Sequence, residues 1–82
     1  MSTWHYCIGT QTGTDGETYF HVIEAYLDED GKPWGWIHAK PSWSESVDEL
    51  VKTLVTMLGD CGRHPVLDLD EPMPGKGPGN EV

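Results

Sequence analysis

The chain reads as an α+β domain: a three-stranded antiparallel meander with one helix packed on one face. Two observations predict this. Three runs rich in aromatic and β-branched residues, Trp4–Thr10, Thr18–Asp28 and Trp34–Ala39, are separated by turn sequences. One amphipathic helical pattern then follows from Ser46 to Gly59.

Taken in order, Trp4 to Thr10 (WHYCIGT) is a short strand that runs into a loop rich in Gly and Thr. Thr18 to Asp28 (TYFHVIEAYLD) is the strongest strand. Asp28-Glu29-Asp30-Gly31-Lys32 follows it, and Asp30-Gly31 is a two-residue hairpin signal. Trp34 to Ala39 returns, with Pro33 tolerated at the strand's start and Pro41 closing it.

Ser46-Val47-Asp48-Glu49 fits a capping box with Ser46 as N-cap. Asp48 and Glu49 suit the positive helix N-terminus. Val47, Leu50, Val51, Leu54, Val55 and Leu58 form one stripe at helical spacing, and Gly59 stands where a C-terminal cap belongs. Pro65-Val66-Leu67-Asp68-Leu69 is either a short fourth strand or an extended strap over the core. Residues 1–71 make the single domain. Residues 72–82, rich in Pro and Gly, are expected to be a disordered tail.

A turn at Asp30-Gly31 sets Leu27 opposite Trp34, Ala25 opposite Trp36 and Ile23 opposite His38. A turn at Asp15-Gly16 sets Trp4, Tyr6 and Ile8 beside Leu27, Ala25 and Ile23. A longer loop over Gln11–Glu17 would change that pairing. One face then carries Trp4, Tyr6, Ile8, Tyr19, Ile23, Ala25, Leu27, Trp34 and Trp36, and the helix is expected there. The other carries His5, Cys7, Phe20, Val22, Glu24, Tyr26, Gly35 and Ile37. A slip of one residue exchanges the sets.

The 82 residues carry 14 Asp plus Glu against 5 Lys plus Arg, a net charge of -9. Phosphate neutralisation needs Lys and Arg, so neither nucleic acid nor an anionic membrane is an expected partner. Hydrophobic residues make up 37%, with four Trp, which excludes disorder for most of the chain. No apolar run approaches the roughly 20 residues of a membrane span. The N-terminal residues show no signal-peptide pattern, so a cytoplasmic location in a bacterium or a phage-infected host cell is expected. Cys7 and Cys61 then read as reduced thiols.

Four residues have metal-ligand chemistry: His5 and Cys7, two apart on one strand face, and Cys61 and His64 in a C-x-x-H spacing. Partly buried thiols and surface imidazoles are the simpler account, so no metal or other cofactor is expected. No nucleophile and base share a cleft in this reading, so no catalytic residue is assigned and an enzyme is not expected. Most carboxylates sit in turns or at the helix start, where turn chemistry and capping explain them. Glu24, mid-strand among apolar neighbours, is the exception. Trp4, Trp34 and Trp36 are expected in the core, and Trp43 either staples the first helical turn or stands exposed.

The open face, together with Trp43, gives the expected binding residues: His5, Phe20, Glu24, Tyr26, Ile37 and Trp43. Exposed aromatics rimmed by polar groups suit a protein partner, and the charge suits a basic one. A homodimer through the open face or an edge strand is the alternative expectation.

The order strand, strand, strand, then a helix opened by Ser46-Val47-Asp48-Glu49-Leu50 resembles the small antitoxin-type domains of the HicB family. Tyr26 to Pro33 (YLDEDGKP) and Pro65-Val66-Leu67-Asp68 resemble segments of short phage and prophage proteins. The likeness implies a binding or inhibitory module.

Overall fold

The computed structural model describes residues 3–40 and 44–76. Its elements are β1 (Thr3–Thr12), β2 (Thr18–Leu27), β3 (Pro33–His38), α1 (Val47–Arg63) and β4 (Leu67–Asp68). The sheet order is β3-β2-β1-β4, with β1, β2 and β3 antiparallel and β4 parallel to β1. This is the α+β meander with one helix that the sequence predicts. Trp43 lies outside the described residues.

The β1–β2 register differs by one residue from the expectation. Trp4 pairs with Tyr26, Tyr6 with Glu24 and Ile8 with Val22. The cause is the loop. Thr12 pairs with Thr18, leaving five residues between them instead of two. Gly13 N–H donates to Glu17 O (2.8 Å), and Gly16, at φ 82°, donates to Gly13 O (3.0 Å). Asp15 braces the bend by accepting Glu17 N–H (2.9 Å) and the Tyr19 hydroxyl. An odd-length loop where an even one is expected turns every side chain of β1 over.

The β2–β3 register matches at Ile23–His38 and Ala25–Trp36. A bulge at Tyr26/Leu27 puts Pro33, not Trp34, opposite Leu27. Asp28 causes it. Its carboxylate accepts Asp30 N–H and Lys32 N–H (2.9 and 3.0 Å), and its own N–H donates to Lys32 O. Gly31 closes the turn at φ 78°, a left-handed conformation that glycine adopts without steric cost.

The core is therefore Cys7, Ile23 and Ala25, all fully buried, with Trp36, Leu67 and Leu69 packed against them. Of the tryptophans expected in the core, Trp36 packs against it, Trp34 is half-buried, and Trp4 is exposed because β1 is turned over. The Pro65–Leu69 segment is both strand and strap. Leu67 and Asp68 pair with β1, and Leu67 and Leu69 cover the core. Gly9 admits this cover. A Cβ there would lie 2.7 Å from Leu69 Cδ1. Beyond the strap, Gly75 N–H donates to Pro33 O (2.8 Å) and Lys76 N–H to Asp28 Oδ2 (3.0 Å).

Ser46 caps α1 as expected, its hydroxyl accepting Glu49 N–H (3.1 Å). The far end differs. The helix runs through Gly59 to Arg63 and is capped at His64. A glycine inside a helix costs about 1 kcal/mol relative to alanine. The Arg63–Asp60 ion pair and the bond from Tyr6 N–H to Asp60 Oδ2 (3.2 Å) hold the last turn in place. The helix meets the sheet mainly along β1. Leu50, Thr53, Met57, Asp60, Cys61 and His64 form its less exposed side, with Met57 buried. The expected stripe of Val47, Val51, Leu54, Val55 and Leu58 stays exposed, because the strap rather than the helix covers the core.

Candidate functional site

The open sheet face is built by alternation. Side chains two apart on a strand share a face, and cross-strand partners stand side by side. Tyr6 and Ile37 flank Glu24, Trp4 and Gly35 flank Tyr26, and Ile8 stands beside Val22. Phe20, at 71% exposure, ends the row, and Trp4, Val22 and Ile37 are exposed as well. No other part of the described sheet presents so much apolar surface. The four exposed side chains amount to roughly 300 Å² of apolar area, since an aromatic side chain carries about 150–250 Å² and an aliphatic one about half that. That is the size of patch that marks interaction sites.

The polar groups of this face are fixed. The Tyr26 hydroxyl donates to Glu24 Oε1 (3.0 Å), so the carboxylate that stood out mid-strand has a partner. That bond pushes the Tyr26 hydroxyl pKa up, with burial and the Glu24 charge adding. Burial, then the charges of Glu24 and Asp60, raise that of Tyr6. Trp4 and Tyr6 meet edge to face with centroids 5.0 Å apart, and Trp34 lies 5.9 Å from Tyr26. Trp34 Nε1 is buried with no hydrogen-bond partner among the described residues.

Of the expected binding residues, Phe20, Glu24, Tyr26 and Ile37 share this face. His5 does not. The turned-over β1 sends it to the core side, where its ring stacks on His64 with centroids 3.5 Å apart and planes 4° from parallel. Trp4, Tyr6 and Ile8 replace it, three residues that the expected register sets on the helix-covered face. The signal that finds them is Gly13, which lengthens the loop.

The residues with metal-ligand chemistry converge on the core side. His5 meets His64, and Cys7 is close enough to Cys61 for the Cys61 charge to bear on its thiol. Stacked imidazoles do not aim two ring nitrogens at one point. Among the described residues no group of three or more His, Cys, Asp or Glu side chains is placed to hold a metal ion. Burial, then the Cys61 charge, pushes the Cys7 thiol up to about 11, the reverse of what an active nucleophile needs. Burial and Asp60 raise Cys61 too. The remaining histidines pair elsewhere, His21 with His38 at 4.9 Å, and Trp36 borders His38 at 5.0 Å.

Comparison with protein-family models, curated proteins and solved structures returns no match. Among the described residues no helix is long and apolar enough to cross a membrane.

Proposed function

We propose that this chain is a small acidic, non-enzymatic interaction protein that binds and modulates a basic protein partner through the open sheet face. The observation that carries this reading is the row Trp4, Phe20, Val22 and Ile37, exposed around the Glu24–Tyr26 pair on one sheet face. Aromatic side chains at the centre of a patch supply binding energy, and charge around them sets partner choice and association rate. The net charge of -9 selects a basic partner and repels nucleic acid. A nucleic-acid-handling enzyme in a bacterium or a phage-infected cell fits that description, and the likeness to antitoxin-type modules points the same way. The raised Cys7 thiol supports a role without nucleophilic catalysis.

The test is affinity capture with the tagged chain at low and high salt. A stoichiometric basic protein should be held at low salt and released at high salt. Phe20→Glu with Ile37→Glu should abolish its capture. Capture indifferent to both salt and these substitutions would sink the proposal.

A further inference from the structure

The outward side of α1 carries a pattern that the open sheet face does not explain. Val47, Val51, Leu54 and Leu58 are 77%, 49%, 49% and 76% exposed. They are four, three and four residues apart, which is the seam spacing of one helix packed along another. Val55, 63% exposed, widens the seam on one flank, and Leu50 borders it on the other. Glu49, Lys52, Thr56 and Gly59 fall on the opposite side, so the apolar arc is not an accident of composition. The sheet takes only the side of α1 that holds Met57.

We propose that this seam is covered by α1 of a second copy of the chain, packed antiparallel about a two-fold axis. The proposal is independent of the basic-partner reading and uses a different surface. The spacing itself argues for self-pairing. Four-three-four reads the same in both directions, so Val47 meets Leu58 of the second copy and Val51 meets Leu54, with every layer filled twice. A two-fold contact needs such self-complementarity.

Charge selects the antiparallel direction. Glu45, Asp48 and Glu49 gather at the start of α1, and Arg63, whose side chain is 67% exposed, stands at its end. Parallel packing would set two acidic starts side by side. Antiparallel packing instead brings each acidic start to the other copy's helix end, where Arg63 offsets Asp60, and opposes the helix dipoles. Area agrees. A buried aliphatic side chain corresponds to roughly 60–120 Å² at about 25 cal/mol per Å², so the five exposed seam residues offer roughly 300 Å². That is more than half of the apolar area that a standard interface takes from each partner, about 450 Å². The core of one copy, four buried apolar side chains among the described residues, is correspondingly small.

Sedimentation equilibrium on the whole chain, from about 1 μM to about 1 mM, tests this across the range where modest interfaces bind. A concentration-dependent dimer is expected, with an unfolding midpoint that rises with concentration. Leu54→Glu should weaken it at least about 30-fold, the loss typical of a central interface residue, while Phe20→Glu leaves it unchanged. Added salt should hold or tighten the dimer, because both copies carry -9. Mixing Val47→Cys chains with Leu58→Cys chains should give the mixed disulfide. This measurement decides the matter even where Leu54→Glu fails to fold. A monomer at every concentration, or a disulfide between two Val47→Cys chains in place of the mixed one, would overturn the proposal.

Discussion

The carboxylate of Asp60 accepts the backbone N–H of Tyr6 at 3.2 Å, which fastens the last turn of α1 to the outer edge of β1. Asp70 does the same for Thr12 N–H (3.0 Å to Oδ2) at the strand's other end, and β4 pairs with Gly9 and Thr10 between them. The side of β1 that β2 leaves open is thus closed by two carboxylates and a two-residue strand. The Tyr6 bond, aided by Arg63, holds the Asp60 carboxyl below its ordinary 3.8, with burial opposing. A lowered carboxyl pKa contributes stability that is complete above 3.8 and is lost as pH falls through the lowered value. Asp60→Ala should therefore cost about 1.5–2 kcal/mol at neutral pH, the lower part of the range for hydrogen bonds to charged groups. Urea unfolding measures the cost. Hydrogen exchange at the Tyr6 amide should accelerate as well, and an amide that stays protected would refute the assignment.

Burial of His64 against His5 should make the fold sensitive to mild acid. Burial, then His5, lowers the His64 pKa from 6.5, with Arg63 adding and Asp60 opposing. The unfolded chain then takes up the proton more readily than the folded one. The stability this contributes is complete above pH 6.5 and is lost as pH falls through the lowered value. The thermal midpoint should fall between about pH 7 and about pH 5, the interval in which histidines titrate. His64→Gln should flatten that slope. An unchanged slope in the variant would assign the acid sensitivity elsewhere.

Much of this arrangement was legible in the sequence, and the exceptions share a cause. The strands and the Ser46 cap follow from local chemistry: side-chain alternation, hairpin turns and a hydroxyl at the helix start. Which face of β1 is buried depends instead on the parity of the Gly13–Glu17 loop. Asp15-Gly16 suggests two residues there, whereas Gly13 and Asp15 build five. That single difference moves Trp4 and Tyr6 to the open face and Cys7 to the core. The helix stripe was legible as a stripe, but periodicity states only that a face is apolar, not what covers it. The strap that displaced the helix was one of two readings of Pro65–Leu69, and the pairing to Gly9 that fixes it is non-local.

Gly9 is where the strap is most exposed to a single change. A Cβ there would stand 2.7 and 2.9 Å from Leu69 and 3.2 Å from Ile23 Cδ1. Both neighbours belong to the core, so relief requires the strap to lift. Gly9→Ala should cost about 1–3 kcal/mol, as overpacking does, and should raise proteolysis within 65–76 before global unfolding. Gly35→Ala is the control, because its Cβ meets nothing within 4 Å. Equal effects at the two positions would show that backbone entropy, not the Leu69 contact, sets the cost.

Cys7 reports on the same core from within. It is fully buried beneath Leu67 and Leu69, and burial pushes its thiol up to about 11. At neutral pH both access and thiolate fraction are small, and thiol alkylation needs both. Cys61 is only partly buried. Iodoacetamide should therefore label Cys61 first, and Cys7 only at the rate at which the fold opens. Urea below the unfolding midpoint should accelerate the Cys7 reaction while leaving that of Cys61 nearly constant. Gly9→Ala, by lifting the strap, should speed Cys7 labelling without the need for global unfolding. Rapid labelling of Cys7 in the intact protein would mean that the strap does not cover the core.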